Sequence, residues 1–191
     1  MPHALIRSAW LQPSRGSALA CIARVRTGRP ERLTGFDYRG LHRYFLTFCT
    51  YQRCRLFVSA DRVEMVLRQI LRAAHDQHFA VLAYCVMPDH VHLLIEGQAD
   101  CCDCRRFIST AKQLSGFHYL RMFGQRLWQP YGFERTLRED EDSLSVARYI
   151  AENPVRAGLT RSPSEYPFLG SSVYPLSEIL EAVQFGNRWW K

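Results

Sequence analysis

An α+β sandwich built on an antiparallel sheet is the fold predicted for this chain of 191 residues, and three observations predict it. Period-two stretches and helical stripes follow one another as strand, helix, strand, strand, helix, short strand, helix. A tight Pro88-Asp89 turn joins two of the strands. A hydrophobic content of 47% with no compositional break supports a single core.

Each element has its own signal. Tyr44–Tyr51 alternates aromatic with β-branched or small residues, as a strand does. Val63, Val66, Leu67, Ile70, Leu71 and Ala74 form a helical stripe with Ser59 as its N-cap. Val81–Met87 reads as a strand buried on both faces, and the turn links it to His90–Glu96 as a hairpin in the middle of the sheet. Phe107, Ala111, Leu114, Phe117 and Leu120 mark a second helix ending at Gly124, and Phe133–Leu137 adds an edge strand. The acidic run Glu139-Asp140-Glu141-Asp142 leads into a third helix with Arg148 near its end, charges that suit the helix dipole. Pro154 disfavours helical geometry at the residue before it and predicts a stop around Asn153. This order is that of a ferredoxin-like sandwich, a central antiparallel sheet with two helices on one face and the third near the open face.

Charge is uneven along the chain. Net charge is +7, yet residues 1–55 hold ten arginines against two acids while residues 56–191 hold fifteen basic and sixteen acidic groups. Lysine occurs only at Lys112 and Lys191, so the positive charge is almost entirely guanidinium, which pairs bidentately with phosphate and with guanine edges. A nucleic-acid partner follows more readily than mere solubility, although a GC-rich genome also raises the arginine count. Residues 1–40 lack a sustained apolar period and read as a basic, flexible arm; 41–160 form the domain and 161–191 a tail. The arm lacks the apolar core of a signal peptide, and no stretch approaches the roughly twenty apolar residues that span a membrane, so a cytoplasmic protein is expected.

Seven cysteines are odd in number and irregular in spacing, unlike a zinc ribbon or a secreted disulfide framework. Cys49 and Cys85, in strands, read as small core residues, and Cys101-Cys102-Asp103-Cys104 falls in a loop.

The chemistry concentrates in two places. In an extended strand His90 and His92 project to one side with Leu94 and Glu96, while Val91, Leu93 and Ile95 project to the other. The two histidine Cα atoms then lie roughly 6.5–7 Å apart, close enough for the imidazoles to grip one ion. A His-x-His pair also arises on any half-polar sheet face. Tyr149 and Asn153 share one face of the third helix at its last turn, where a core tyrosine and a C-terminal Asn cap are the plain alternative. Two imidazoles suit manganese, zinc or nickel better than magnesium. Glu96 or Asp89 could add an oxygen, Asp89 being equally a turn residue. Val91 on the open face, with the histidines against the helices, would contradict this site.

Four blocks carry a resemblance. Tyr44-Phe45-Leu46-Thr47-Phe48, Met87-Pro88-Asp89-His90-Val91-His92, Leu127-Trp128-Gln129-Pro130 and Tyr149-Ile150-Ala151-Glu152-Asn153-Pro154-Val155-Arg156-Ala157-Gly158-Leu159, in this order, resemble the single-tyrosine His-hydrophobic-His transposases, specifically the REP-associated tyrosine transposases. Insertion-sequence relatives usually place Gln four residues after the tyrosine, whereas Asn153 resembles the REP-associated branch. The resemblance implies the ferredoxin-like fold with the catalytic tyrosine helix near the open face. It implies cleavage and transfer of single-stranded DNA bearing REP-type hairpins, with Tyr149 as nucleophile, a 5′-phosphotyrosine link and a free 3′-hydroxyl. It implies magnesium or manganese held by His90, His92 and the Asn153 carboxamide, and a monomer with the tyrosine in its own site rather than a dimer. A domesticated protein that binds such hairpins without cutting them is the alternative. Arg43, Arg53, Arg55, Lys112, Arg135 and Arg156 are the candidate DNA contacts near the blocks. Trp128 could stack on an unpaired base, but the core is the preferred place for it.

Overall fold

Two apolar layers, one on each side of a sheet, organise the chain. The structure, a computed structural model, describes residues 36–130, 132–137 and 143–185. Strands β1 (Arg43–Cys49), β2 (Phe79–Met87), β3 (His90–Gly97), β4 (Phe133–Thr136) and β5 (Leu169–Gly170) form one antiparallel sheet in the order β4-β1-β3-β2-β5. The first four strands have the order that the predicted βαββαβ sandwich requires. The arm expected over 1–40 lies outside the described residues up to 35, the acidic run 139–142 lies outside them, and so do Trp189 and Trp190.

On the first face, Tyr44, Leu46 and Phe48 stand directly opposite Ile95, Leu93 and Val91, and all six are buried. Helices α1 (Ala60–Asp76) and α2 (Cys104–Phe123) close over them, α1 through Val63, Val66, Ile70 and Ala73. Tyr38, inside the expected arm, is buried in this same core. Ser59 takes the N-cap position of α1 without the capping bond, because its hydroxyl goes to the Asp61 carboxylate. In α2 the buried stripe runs through Cys104, Phe107, Ala111, Ser115 and Tyr119, while Phe117 and Leu120 are 55% and 53% exposed, against the expected stripe. Ser115 tolerates burial because its Oγ donates to the Ala111 carbonyl at 2.5 Å and accepts the Trp128 indole N–H at 2.9 Å. Gly124, in the left-handed conformation, ends α2 as expected. Asp103 caps its start, so Cys104 belongs to the helix and not to a loop, and Cys102 and Cys104 are buried.

The second face receives the tyrosine helix as expected, but a further helix and a second apolar core cover it as well. Helices α3 (Ser143–Arg156) and α4 (Leu176–Phe185) lie over it and build a second core with Leu82, Ala83, Cys85, Met87 and Leu94. A bulge at Leu82 makes this possible: the register passes from Val81↔Ile95 to Ala83↔Leu94. One extra residue flips the parity of the strand, so Leu82 and Ala83 both enter the second core, and Tyr84 and Val86 return to the first. The segment after Ser162 folds back over this half. Tyr166 donates its hydroxyl to the Val86 carbonyl at 2.7 Å, Leu169 and Gly170 pair with Cys85 and Tyr84, and Ser171 and Ser172 take up the Val81 backbone groups beside the bulge. Arg148 ties the two helices by donating to the Val183 carbonyl at 2.7 Å.

Helix α3 continues through Pro154 to Arg156, three residues beyond the expected stop. Its true end is Gly158, whose φ of +67° suits glycine. There Leu159 N–H bonds the Pro154 carbonyl at 2.8 Å and Gly158 N–H the Val155 carbonyl at 2.9 Å, the crossed pair of a Schellman cap.

Candidate functional site

The hairpin turn places His90 and His92 on the second face, opposite Cys49 and Thr47 of β1, while Val91, Leu93 and Ile95 enter the first core. This is the orientation that the period-two reading demands. The two Nε2 atoms stand 3.0 Å apart. Each ring is fixed from behind: His90 Nδ1 lies 2.6 Å from Asp89 Oδ1, and His92 Nδ1 lies 2.9 Å from Thr47 Oγ1. Such backing orients both rings, and the carboxylate behind His90 favours the tautomer that bares its Nε2.

His92 is 5% exposed. Burial, then the charges of His90, Arg53 and Arg156, hold its pKa down to about 3, so at neutral pH no proton has to leave before it can bind a cation. Burial works against the Asp89 charge, but the His90 hydrogen bond and the attraction of His90 and Arg53 prevail and keep that carboxyl below its usual range. Arg53 reaches Asp89 at 3.0 Å and donates to Cys49 Sγ at 2.9 Å. It does so from a turn in which Gln52 and Arg53 both have left-handed φ, 53° and 56°, which side-chain-bearing residues seldom adopt. Thr50 holds this turn against the hairpin: its hydroxyl donates to the carbonyls of Cys54 at 2.7 Å and Asp89 at 2.9 Å.

Tyr149 comes from α3 and is 41% exposed. Its ring lies edge-on to His92 and to Phe45, both at 5.6 Å, and Phe45 in turn stacks on His92 at 5.5 Å. The Arg156 guanidinium sits over the tyrosine ring at 4.3 Å. Pro154 cannot donate to the helix and crowds the turn before it, and in that turn the Tyr149 carbonyl accepts both Asn153 Nδ2 at 2.8 Å and Arg156 at 2.9 Å. Asn153 thus points its amide at Tyr149 and keeps Oδ1 as an acceptor.

The donor set fits a metal ion. Two imidazole nitrogens converge to within 3.0 Å of each other on one face, the donor chemistry that one shared cation requires. Among the described residues no group of three His, Cys, Asp or Glu could hold an ion. Neither carboxylate proposed from sequence is placed to ligate. Asp89 is spent on His90 and Arg53, and Glu96, four residues beyond His92 on the same face, is held by Arg43 at 2.6 Å and Gln98 at 3.0 Å.

The candidate DNA contacts divide. Arg43 bridges Glu96 and the Ser143 hydroxyl, Arg53 backs Asp89, and Arg156 covers Tyr149. Lys112 donates to the Gln129 carbonyl at 2.7 Å and the Pro130 carbonyl at 3.2 Å, and burial lowers its pKa to about 8. Arg55 and Arg135 are exposed. Trp128 is in the first core, edge-on to Phe48 at 5.8 Å. Sequence reasoning missed Thr47 and Phe45, whose signal lies only in the register that sets Thr47 opposite His92.

Comparison with known proteins places these residues in company. The sequence model of the family described as "Transposase IS200 like" matches residues 39–153, a span that takes in His90, His92, Tyr149 and Asn153. The REP-associated tyrosine transposase of Escherichia coli (strain K12) is 30% identical over 131 residues, covering 64% of this chain and 76% of that one. A Haemophilus influenzae relative is 24% identical over 138 residues, covering 65% and 77%. The solved structure of a REP-associated tyrosine transposase bound to a REP hairpin superposes with a TM-score of 0.62 at 21% identity, over 84% of this chain and 91% of that one, a likeness of fold. Among the described residues no helix is long and apolar enough to cross a membrane.

Proposed function

The chain belongs to the IS200-like transposases, in the REP-associated tyrosine branch, and from that premise we propose that it is a metal-dependent single-strand DNA endonuclease and strand transferase acting on REP-type hairpins. The observation that carries this reading is the pair of Nε2 atoms 3.0 Å apart, each backed at Nδ1, beside an exposed tyrosine 5.6 Å from His92. Tyr149 Oη attacks the scissile phosphorus and loses its proton; the new O–P bond forms as the bond to the 3′ oxygen breaks, and that oxygen leaves as a hydroxyl. The broken 5′ end stays on the protein, so reversal by another 3′-hydroxyl rejoins a strand without hydrolysis. Magnesium or manganese, held by His90, His92 and Asn153 Oδ1, would polarise the phosphate and take up charge on the leaving oxygen.

The chain's own residues supply the positioning. Phe45 and His92 wall the phenol on two edges, and Arg156 caps its ring. The Tyr149 ring packs against His92 of its own chain, the arrangement a monomeric working unit would use.

The test is a denaturation-resistant adduct between the protein and labelled single-stranded hairpins. With manganese the wild type is expected to form it; chelator and Tyr149→Phe abolish it, while Tyr149→Phe keeps hairpin affinity within about tenfold. Equal cleavage by Tyr149→Phe removes this residue from the chemistry. Tight binding with no adduct over varied hairpins identifies a hairpin binder that does not cut.

A further inference from the structure

The histidine site is short of negative charge. Magnesium and manganese are ordinarily drawn by carboxylates and, where phosphates react, by the substrate's own oxygens. Here His90 and His92 supply neutral nitrogen donors, and the Asn153 carboxamide is neutral as well. Both nearby carboxylates are already engaged, Glu96 by Arg43 at 2.6 Å and Gln98 at 3.0 Å, and Asp89 by Arg53 at 3.0 Å.

Arg156 carries the surplus positive charge. Its guanidinium lies 4.3 Å from the centre of the Tyr149 ring, which is 5.6 Å from that of His92, so the charge stands within about 10 Å of the imidazole. That is about one screening length at physiological salt, and the charge is felt across it. One N–H of Arg156 goes to the Tyr149 carbonyl at 2.9 Å, and among the described residues the guanidinium pairs with no carboxylate, not even Glu152 one turn before it. Two guanidiniums thus face one carboxylate around the histidines, and at His92 each of the two outweighs Asp89.

A base in the last turn of a helix serves the helix dipole wherever its side chain lies. The dipole does not account for a guanidinium folded back seven residues onto the phenol.

We propose that Arg156 makes cation binding at the histidine pair conditional on the substrate phosphate. In the free protein its uncompensated charge holds a divalent ion off. An arriving phosphodiester meets the free N–H groups of Arg156 and brings the anionic oxygen that the protein does not provide. Ion and single strand then enter together, each raising the affinity for the other by the same factor. The inference rests on the DNA-cleavage reading for the identity of both, and it adds the residue that couples them.

The test titrates manganese into the whole chain, alone and with a saturating REP-type hairpin that bears a single-stranded flank, and reads the free ion by electron paramagnetic resonance, with the ion bound by DNA alone subtracted. Tyr149→Phe in both arms prevents cleavage and keeps a ring under Arg156. The hairpin is expected to lower the manganese dissociation constant about tenfold or more. With Arg156→Gln added, the free protein should bind manganese about five- to tenfold more tightly and the hairpin should add correspondingly less, a gain that misfolding cannot produce. Arg156→Lys, which keeps the charge, should bind as its parent does. Manganese affinity that ignores the hairpin, or an Arg156→Gln chain with unchanged affinity, overturns the proposal. The two readings fail separately: a coupled ion with no tyrosine adduct in the wild type sinks the transferase and keeps the coupling, an adduct without coupling does the reverse, and no manganese binding in either arm overturns both.

Discussion

The two faces of the sheet are made from the same strands and are used differently. On the first, Tyr44, Leu46, Phe48, Val91, Leu93 and Ile95 meet two helices and are fully buried. On the second, β2 is sealed under α3 and α4, whereas the neighbouring ends of β1 and β3 carry Thr47, His90 and His92 in a polar network. Adjacent residues of β1 belong to different regimes: Leu46 is core, and Thr47 aims a histidine. The difference teaches that one strand can be rigid through one set of side chains and reactive through the next, because alternation keeps the two sets on opposite sides.

The sharpest way to break this comparison is Leu46→Ala, which removes buried volume from the first face and is expected to cost about 2–5 kcal/mol in urea denaturation. A smaller loss would mean that the helices close over the gap. Asp89→Asn acts on the second face and is expected to raise the manganese concentration for half-maximal cleavage about 10–100-fold, with the fold intact by circular dichroism. An unchanged metal requirement would detach Asp89 from the site. Next in size is an effect of pH. Folded His92 takes its proton only near pH 3, whereas an unfolded imidazole takes it near pH 6.5, so between those values the unfolded chain binds more protons and acid removes stability. Lowering the pH from 7 to 5 should therefore cost about 2 kcal/mol through this residue, and His92→Gln should flatten that part of the curve. Gly158→Ala forces a side chain into the left-handed cap of α3 and should cost about 1 kcal/mol, read as a lower thermal midpoint.

Much of this was legible in the sequence, and the failures have physical causes. Strand alternation alone fixed the side on which His90 and His92 lie, since period two leaves no other choice once Val91, Leu93 and Ile95 are core. Helical spacing brought Tyr149 and Asn153 to one face. The end of α3 was misjudged because Pro154 forgoes only a single helical bond, the one to the Ile150 carbonyl, while the stop comes from Gly158. The buried stripe of α2 was misjudged because Ser115 and Tyr119 look polar until their partners, Trp128 and the Leu56 carbonyl, are in view. The second core was hidden by the Leu82 bulge, which shifts parity without any mark in composition. The ion pairs of two of the candidate DNA contacts were hidden because they depend on acids distant in sequence: Arg43 meets Glu96, and Arg53 meets Asp89.

The returning segment after Ser162 has a further consequence. Without it, the outer edge of β2 would present the backbone groups of Val81, Tyr84 and Val86 unpaired, next to the apolar side chains of Leu82, Ala83 and Cys85. A long apolar edge of that kind invites a strand from another molecule. Tyr166, the two-residue strand and the serines at 171 and 172 occupy it first. The tail therefore serves as a guard against aggregation, and a chain cut after Leu159 should clump at concentrations at which the whole protein stays dispersed.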